Sequence, residues 1–465
     1  MSAHEAAAKP RVLLATLTET RQDFRARREH LVGEELESLE WLRSSVDVTE
    51  SGVMSSPTHL RALADGIRAD DFHALLVHIP IWTEPVLTVK LSKLLDLPIA
   101  LLGNARRETS SIVGVLGAGG ALDQMGSAHL RVFDHRQDAA RRDLLAFIRA
   151  AYARKCLHGQ ALGLFGGRSL GIVTATADPA QWQKLFGVDI DQPEQAQIVD
   201  RARALPAAEV ERHLRWLTTE LAGIRFGDGF TPDALDRQVR SYLATRAIAR
   251  ERGYDFIGVR CQPELSDGYA SQCVAHMLCN GCRDADGAKS AMVHACEADA
   301  DGALTMQILH LLSLGRPTAL LDVRWWDRET GVWTLANCGA APAAFAGGDE
   351  ESGLGSVRMV PHVFGTGGGG ALPFAAAPRA VTLARLCRRN GRYWMAVLAG
   401  TVERREEAAL ASTTAAFPQA FVRTSAGMDF LEAFGSNHLH MVAGDFVAEL
   451  QAFCRLAGIE CAVWR

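Results

Sequence analysis

The stretch AMVHACEADADGALTMQILHLLSLGRPTALLDVRWWD, residues 291–327, decides how the second half of this chain folds. It begins with a short apolar run, Ala291–Cys296, which favours a buried strand. An amphipathic segment follows at about residues 303–314, with apolar side chains at helical spacing. Gly315 and Pro317 end this helix, because a glycine and a following proline are typical of a helix C-terminus. The stretch therefore predicts a strand, a turn and a helix in succession.

Each of two predicted strands in this stretch is followed by a carboxylate. Glu297 comes directly after the first apolar run, and a second run, Thr318–Leu321, ends in Asp322. In open α/β sheets the carboxyl ends of the strands are where ligands bind. Two carboxylates that meet there favour either a hard cation or acid–base chemistry. We therefore expect Glu297 and Asp322 to form part of a functional site.

The overall composition is that of an ordinary globular protein and excludes several classes of function. The chain has 465 residues, 48% of them hydrophobic and 22% charged, which is enough for about two to four domains. A formal net charge of −5 gives no reason to expect a nucleic acid or an anionic membrane as the partner. No apolar run reaches the length of about 18 residues that a membrane helix needs, and the N-terminus lacks the apolar core of a signal peptide. Ten cysteines in such a chain indicate reduced thiols and a cytoplasmic location.

The N-terminal part of the chain alternates between strand-like and helix-like segments. Arg11–Leu17 and His73–Ile79 are apolar runs that favour buried strands, and Leu31–Leu42 has apolar residues at helical spacing. This alternation predicts a parallel, doubly wound sheet. A long helix predicted at Gln137–Lys155 marks a domain boundary, and a second α/β unit follows it.

The sequence pattern changes after the second predicted strand of the opening stretch. Runs of Trp, Val, Thr and Arg alternate with glycine-rich turns, as in VWTLANCG (332–339) and RYWMAVLAGTVE (392–403). Short strands with such turns are typical of an antiparallel barrel or sandwich. We therefore predict an α/β protein in which two Rossmann-like parallel-sheet domains, residues 1–140 and 141–295, precede a mainly antiparallel, β-barrel-like domain at residues 296–465.

A histidine near the C-terminus completes a set of three residues with metal-binding character. Taken alone, Glu297 is more often a solvated acid at the start of a helix, where the helix dipole favours it. His438 taken alone is more often a helix cap or a satisfied core histidine. Asp322 follows an apolar strand, so burying it without a cation or a hydrogen-bond partner would be costly. Together, two carboxylates and one imidazole suit Mn²⁺, Mg²⁺ or another first-row divalent ion such as Co²⁺, and do not suit a structural zinc.

Several motifs resemble the L-fucose isomerase and L-arabinose isomerase superfamily, and most closely its fucose-isomerase-like branch. They are CEADADGALTMQILHLL (296–312), NCG (337–339), PRAVTLARL (378–386) and SNHLHMVAGD (436–445), with HIPIWTEP (78–85) in the N-terminal part. The resemblance implies two Rossmann-like domains, a β-rich C-terminal domain and a hexamer with active sites near the subunit interfaces. It also implies an enzyme that uses Mn²⁺ or a similar ion to interconvert aldoses and ketoses.

The resemblance also implies roles for individual residues. It places metal ligation on Glu297, Asp322 and His438, and sugar binding on Gln262, Asn437 and Trp82. Trp82 would reach the active site of a neighbouring subunit. His440, two residues after His438, is the second choice for the imidazole ligand.

The function predicted from the sequence is a metal-dependent aldose–ketose sugar isomerase that acts through a cis-enediol intermediate. A divalent ion would polarise the carbonyl group, and a carboxylate would move the proton between the two carbons. Glu297 and Asp322 would share ligation with this duty, and Asp299 is a further acid that could take part. The alternatives are a metal-dependent epimerase or lyase on the same scaffold, and a non-catalytic sugar-binding protein. The substrate stays open between fucose, D-arabinose, another sugar and an anionic sugar derivative.

Overall fold

The structure is a computed structural model that describes residues 9–349, 353–405 and 414–464. The chain divides into two compact units. The N-terminal unit comprises residues 7–156 together with residues 448–458, and the larger unit is built mainly from residues 157–447. The three-domain division at residues 140 and 295 stays a prediction.

The N-terminal unit is built on a five-stranded parallel sheet with the strand order β2-β1-β3-β4-β5. The strands are β1 (Arg11–Leu17), β2 (Asp47–Met54), β3 (Ala74–His78), β4 (Ile99–Leu102) and β5 (His129–Val132). Alternate residues of β1 and β3 enter two separate cores, Leu13 and Leu75 on one face of the sheet and Val12 and Leu76 on the other. Both faces are therefore covered, which confirms the predicted doubly wound parallel sheet.

Helices cover this sheet on both faces. The helices of this unit are α1 (Gln22–Ala26), α2 (Glu29–Glu37), α3 (Pro57–Gly66), α4 (Pro85–Leu95), α5 (Ser111–Gln124), α6 (Asp138–Leu157) and, from the C-terminal part of the chain, Val447–Ala457, and α1 among them buries no residue. The long helix predicted at Gln137–Lys155 is α6. Among the helices of the described residues, none combines the length and the apolar character needed to cross a bilayer.

The larger unit contains a second parallel sheet with the order β12-β9-β6-β7. In chain order, the elements of the larger unit up to β12 are β6 (Ala161–Phe165), α7 (Pro179–Phe186), β7 (Asp189–Asp191), α8 (Ala196–Arg203), α9 (Ala207–Glu220), β8 (Gly223–Ile224), α10 (Pro232–Arg252), β9 (Phe256–Val259), α11 (Glu264–Gly268), α12 (Cys273–Asn280), β10 (Arg283–Asp284), β11 (Gly287–Ala288) and β12 (His294–Cys296). The predicted second α/β region is therefore confirmed.

A closed antiparallel barrel of six strands follows in the same unit. The remaining elements are α13 (Ala300–Leu312), β13 (Thr318–Asp327), β14 (Val332–Ala336), β15 (Arg358–Pro361), β16 (Gly370–Ala371), β17 (Arg379–Arg389), β18 (Arg392–Val402), β19 (Gln419–Arg423), α14 (Met428–Ala433), β20 (His438–Ala443), α15 (Val447–Ala457) and β21 (Glu460–Trp464). The barrel order is β17-β20-β13-β14-β19-β18, and pairing of β18 with β17 closes it. The barrel-like C-terminal region predicted from the sequence is confirmed.

The stretch at residues 291–327 forms the predicted strand, helix and strand, but its two strands belong to different sheets. β12 pairs in parallel with β9, whereas β13 is an antiparallel barrel strand. The expectation that Asp322 ends its strand is wrong, because β13 continues to Asp327. Partners on both sides hold Asp322 at mid-strand, since it pairs with Ala336 of β14 and with His438 of β20.

His78, at the end of β3, makes the stability of the N-terminal unit depend on pH. Burial lowers the pKa of His78 from 6.5 to about 3, and its Nε2 atom has no hydrogen-bond partner. The unfolded chain therefore binds a proton at His78 that the folded unit does not. This contribution to stability is complete above pH 6.5 and is lost as the pH falls toward 3.

We expect the His78→Gln variant to lose less stability on acidification than the wild type. The difference should be about 1 kcal/mol between pH 6.5 and pH 5.5, because one proton per molecule is bound on unfolding. Urea unfolding followed by circular dichroism at the two pH values measures it. The exposed His30 provides a control variant, His30→Gln, which should behave like the wild type. Equal pH dependence in all three proteins would contradict the assignment.

Candidate active site

Glu297 reaches the site through an unusual turn of the backbone. It follows β12 directly, and both Glu297 and Ala298 have left-handed backbone conformations, with φ of 58° and 47°. Residues other than glycine rarely adopt this conformation, and each such residue costs roughly 1–2 kcal/mol. The next residue, Asp299, caps α13 by accepting a hydrogen bond from the Gly302 amide at 2.9 Å. The strained turn therefore changes the chain direction between a parallel strand and a capped helix within three residues.

The barrel supplies the other two predicted ligands from neighbouring strands. Asp322 of β13 and His438 of β20 are directly opposite each other in the strand pairing. Their side chains meet at 3.5 Å between His438 Nε2 and Asp322 Oδ1. Glu297 approaches the same nitrogen, with 3.4 Å between His438 Nε2 and Glu297 Oε2. The structure thus brings Glu297, Asp322 and His438 together around one imidazole nitrogen.

Asp299 holds the His438 ring in a single orientation. His438 Nδ1 lies 2.7 Å from Asp299 Oδ2, and Arg385 donates a hydrogen bond to the same carboxylate oxygen. Asp299, Arg385 and His438 are all buried. Because Nδ1 is engaged with Asp299, Nε2 is the ring atom that faces the two carboxylates. Metal-binding histidines are commonly oriented by a carboxylate in this way.

The His438 Nε2 atom also provides a test of whether the residues fit a divalent ion. It is buried and has no hydrogen-bond partner of its own, although two carboxylates lie within 3.5 Å of it. Two atoms that bind one ion at ~2.1 Å lie about 3 Å apart when they are adjacent ligands. The separations from the imidazole nitrogen are close to that value, and the donor set of one nitrogen and two carboxylates suits a first-row divalent ion. The donor types therefore suit the ion that the resemblance implies, although the ligand atoms of Glu297, Asp322 and His438 do not all lie within 4.8 Å of one another.

The local charges favour a cation at this position. Burial alone would lower the pKa of His438, but the Asp299 and Glu297 carboxylates raise it to about 10. Burial raises the pKa of Asp322, while His438 and Arg324 act to lower it. Burial would likewise raise the pKa of Asp299, yet Arg385 and His438 hold it well below its usual range. Asp299 is therefore a fixed negative charge behind the imidazole.

His440 occupies a different position from His438, although both lie on β20. Its Nδ1 atom is 3.3 Å from the Ala384 carbonyl oxygen, and its Nε2 atom is 4.0 Å from Asp299 Oδ2. Burial lowers the pKa of His440 to about 3. His438, and not His440, is the histidine that contacts both Glu297 and Asp322 in the described residues.

The predicted sugar-binding residues lie in three different settings. The Asn437 amide is at the site, with 3.4 Å between its Nδ2 atom and Asp322 Oδ1. Gln262 lines a small enclosed cavity together with Cys296 and Cys338. Trp82 belongs to the N-terminal unit, where its ring is half-buried and Arg21 lies 5.7 Å from the ring centroid.

Two contributions to the site differ from what the sequence indicated. Asp299, which the sequence offered as a further acid for catalysis, is 0% exposed, and its oxygens are engaged by Gly302, Arg385 and His438. Arg385 was not predicted at all. Its only signal is an arginine within the otherwise apolar run of β17, where every residue from Val381 to Cys387 is buried.

Comparison with known proteins gives a consistent result. Residues 335–465 match the family model of the L-fucose isomerase C-terminal domain. Sulfoquinovose isomerases of Priestia aryabhattai and Priestia megaterium are each 20% identical over 439 residues, which is 92% of this chain and 94% of theirs. These similarities indicate an aldose–ketose isomerase that resembles the fucose-isomerase-like sugar isomerases. Another sulfoquinovose isomerase, from Alkalicoccus urumqiensis, is 26% identical over 195 residues, which is 40% of the isomerase described here and 39% of that protein.

A second group of possible metal ligands lies elsewhere in the isomerase. Ligand atoms of His213, Asp284 and Asp286 all lie within 4.8 Å of one another, and no other three His, Cys, Asp or Glu residues in the described part of the chain lie so close together. Arg246 already contacts both carboxylates, at 2.8 and 2.7 Å, and Arg212 lies 2.6 Å from Asp286. The charges of this group are therefore neutralised by arginine. Its chemistry is that of a structural ion-pair cluster.

We expect the Arg385→Met variant of the isomerase to lose about 3–5 kcal/mol of stability, because it leaves the buried Asp299 charge without its main partner. Replacing both residues, in Asp299→Asn/Arg385→Met, should cost less than the sum of the two single changes. Urea unfolding of the three variants measures the coupling. Arg388→Met is the matched control, since Arg388 is only half-buried and pairs with Asp301. Additive losses at residues 299 and 385 would contradict the assigned role.

Proposed function

We propose that Glu297, Asp322 and His438 hold one divalent cation and that the enzyme interconverts an aldose and a ketose through a cis-enediol intermediate. The observation that carries the proposal is the buried Nε2 atom of His438, which makes no hydrogen bond and is oriented by Asp299 toward two carboxylates. One imidazole here lies within 3.5 Å of three carboxylates, those of Glu297, Asp299 and Asp322. Two carboxylates and one imidazole, the imidazole oriented by a further carboxylate, are a common ligand arrangement for a divalent cation.

The ion, when bound, supplies Lewis acidity that polarises the sugar carbonyl group and stabilises negative charge on the two oxygens of the substrate. The residues of the chain perform the proton transfer. Glu297 and Asp322 both lie beside His438 with a carboxylate oxygen, and in the proposal one of them takes the proton from one carbon and returns it to the next. Asp299 holds His438 and takes no part in the transfer. Mn²⁺ is the first choice of ion, with Mg²⁺ or Co²⁺ as alternatives.

Asn437 and Gln262 are proposed to bind hydroxyl groups of the sugar. Asn437 is exposed, and its amide lies beside the Asp322 carboxylate, so it can donate a hydrogen bond to a substrate hydroxyl. Trp82 is proposed to come from a neighbouring subunit of a hexamer. The hexameric state and the cytoplasmic location rest on the resemblance and on the composition of the sequence.

We expect Glu297→Gln and Asp322→Asn each to reduce metal-dependent isomerisation by at least about 100-fold, because each removes a ligand and a candidate base. Turnover is measured by NMR of aldoses incubated with the purified enzyme and Mn²⁺. Asp327→Asn is the matched control on the same strand, since Asp327 only organises the turn with Thr330, and it should keep near-normal activity. Near-normal activity in both test variants would remove the proposal, and sugar binding without turnover would favour a binding protein.

A separate prediction distinguishes the two histidines of β20. Titration calorimetry with Mn²⁺ should show at least about tenfold weaker binding in His438→Gln, because a ligand is lost. His440→Gln should bind Mn²⁺ with nearly the affinity of the wild type, since His440 contacts neither Glu297 nor Asp322. Thermal unfolding of both variants controls for loss of folding. The reverse order of affinities would make His440 the ligand.

A further inference from the structure

The larger unit contains an open cleft of about 710 Å³ that the proposed function does not use. Its walls are the end of α8, one face of α10, the end of α11 and part of the glycine-rich loop at residues 365–370. Its described lining residues all lie at 203–205, 236–240, 268–269 and 366–367, so they differ from those proposed to bind the metal ion and the sugar. The volume lies within the range of roughly 300–1,000 Å³ that is usual for small-molecule sites.

The lining of the cleft is rich in positive charge. It contains three arginines, Arg203, Arg237 and Arg240, and one carboxylate, Asp236. Asp236 pairs with Arg240, at 2.5 Å between Oδ2 and Nε. Among the described residues, Arg237 donates to carbonyl oxygens alone, and Arg203 contacts only an aromatic ring. The charges of Arg203 and Arg237 are therefore not compensated by a carboxylate within the cleft.

Backbone carbonyl groups hold two of the three guanidinium groups in place. Arg237 donates from Nε to the Tyr269 oxygen at 2.8 Å and from Nη2 to the Gly367 oxygen at 2.7 Å. Arg240 donates from Nη1 to the Leu205 oxygen at 3.2 Å. An arginine has five N–H donors, so Arg237 Nη1 and Arg240 Nη2 keep donors that have no partner among the described residues. These guanidinium groups are therefore both fixed and able to bind a further acceptor.

Tyr269 brings the three arginines together around one ring. The Arg203 guanidinium carbon lies 5.9 Å from the centroid of the Tyr269 ring. Burial and Asp236 raise the pKa of the Tyr269 hydroxyl group, whereas the charges of Arg240, Arg203 and Arg237 act to lower it. All three positive charges thus act on one hydroxyl group, which makes no hydrogen bond within the described part of the chain.

The glycine-rich loop gives the cleft a rigid wall. The Gly367 amide donates to the Ser266 carbonyl oxygen at 2.9 Å, and a Cβ atom at Gly367 would lie only 2.7 Å from that oxygen. Only glycine allows this close approach of the loop to α11. The neighbouring acid, Asp267, accepts from the Thr366 amide at 3.0 Å. The loop is therefore held by α11, and its Gly367 carbonyl in turn holds Arg237.

We propose that this cleft binds the phosphate group of a small phosphorylated molecule, with Arg203, Arg237, Arg240 and the Tyr269 hydroxyl group as donors. A phosphate monoester carries a charge of about −1.5 to −2 at neutral pH, which matches the two uncompensated arginines better than a carboxylate does. Planar guanidinium groups match phosphate oxygens in pairs of hydrogen bonds. The site is additional to the proposed isomerisation and does not depend on it.

The test is titration calorimetry of the purified enzyme with glycerol 3-phosphate, without added metal. This probe has no carbonyl group and cannot be isomerised. The wild type should bind it saturably, and Arg203→Gln should weaken the binding by at least about tenfold, because charge-assisted hydrogen bonds are lost. Arg203→Lys should restore part of the loss, since it keeps the charge. Uncharged glycerol should not bind, and inorganic phosphate should bind more weakly than the ester.

Two control variants distinguish this cleft from other binding sites. Arg201→Gln removes the same charge from the same helix, where Arg201 is exposed and pairs with Glu251, and it should bind glycerol 3-phosphate like the wild type. Glu297→Gln should also bind the probe normally, because the cleft is separate from the proposed metal site. Thermal unfolding checks that each variant is folded.

Four results would overturn the inference. They are a wild type without saturable binding at millimolar concentrations, equal affinities of Arg203→Gln and the wild type, equal losses in Arg201→Gln and Arg203→Gln, and loss of binding in Glu297→Gln. Inorganic phosphate that binds as tightly as the ester would replace the phosphorylated molecule by the free ion and so overturn the ligand class. Because none of these measurements uses turnover, a failure of the proposed isomerase function would leave them unchanged.

Discussion

A carboxylate buried in the interior of the larger unit is the constraint on which the site depends. Asp299 is fully buried and would be costly there without compensation. Arg385, also buried, supplies the positive charge, and His438 donates from its Nδ1 atom. The helix cap formed with Gly302 uses the second oxygen. These hydrogen bonds to Asp299 fix the positions of Gly302, Arg385 and His438. The Nε2 atom of His438 consequently has one orientation.

Close packing reinforces this constraint at Gly302. A Cβ atom at this position would lie 2.5 Å from Asp299 Oδ2 and 2.6 Å from His440 Nε2. Only glycine lets the first turn of α13 approach the carboxylate and the β20 strand so closely. The first turn of α13 directly follows the strained, left-handed turn at Glu297 and Ala298. The backbone strain at Glu297 and Ala298 persists because the helix cap, the buried charge of Asp299 and strand β20 all constrain the neighbouring residues.

Exposure increases stepwise from the interior of the site to its rim. Asp299 is 0% exposed and Glu297 is 8% exposed, Asp322 is half-buried, and Asn437 is exposed. The rigid charges that orient the ligands are therefore the ones that solvent does not reach. The groups proposed to meet the substrate are those that an incoming sugar can reach. This order suits a site in which the low dielectric of the interior strengthens a fixed electrostatic field.

The sequence by itself determined the class of fold, and it predicted three candidate site residues that the structure brings together around one imidazole nitrogen. Hydrophobic runs of strand length and the alternation with helices predicted both parallel sheets, because these patterns reflect burial of each strand. Glycine-rich turns between short strands predicted the barrel region, and the acidic cluster, the apolar strand and the Asn-His pair indicated Glu297, Asp322 and His438.

Only the tertiary structure decided that β12 and β13 enter different sheets, since strand pairing is a long-range choice that local pattern does not specify. It also distinguished His438 from His440 on the same strand, because His438 contacts both Glu297 and Asp322. The role of Asp299 as an orienting charge, and that of Arg385, 86 positions away along the chain, could not be read from the sequence. Compensation of a buried charge depends on which side chains the fold brings within hydrogen-bond distance, and that is a property of the packed interior alone.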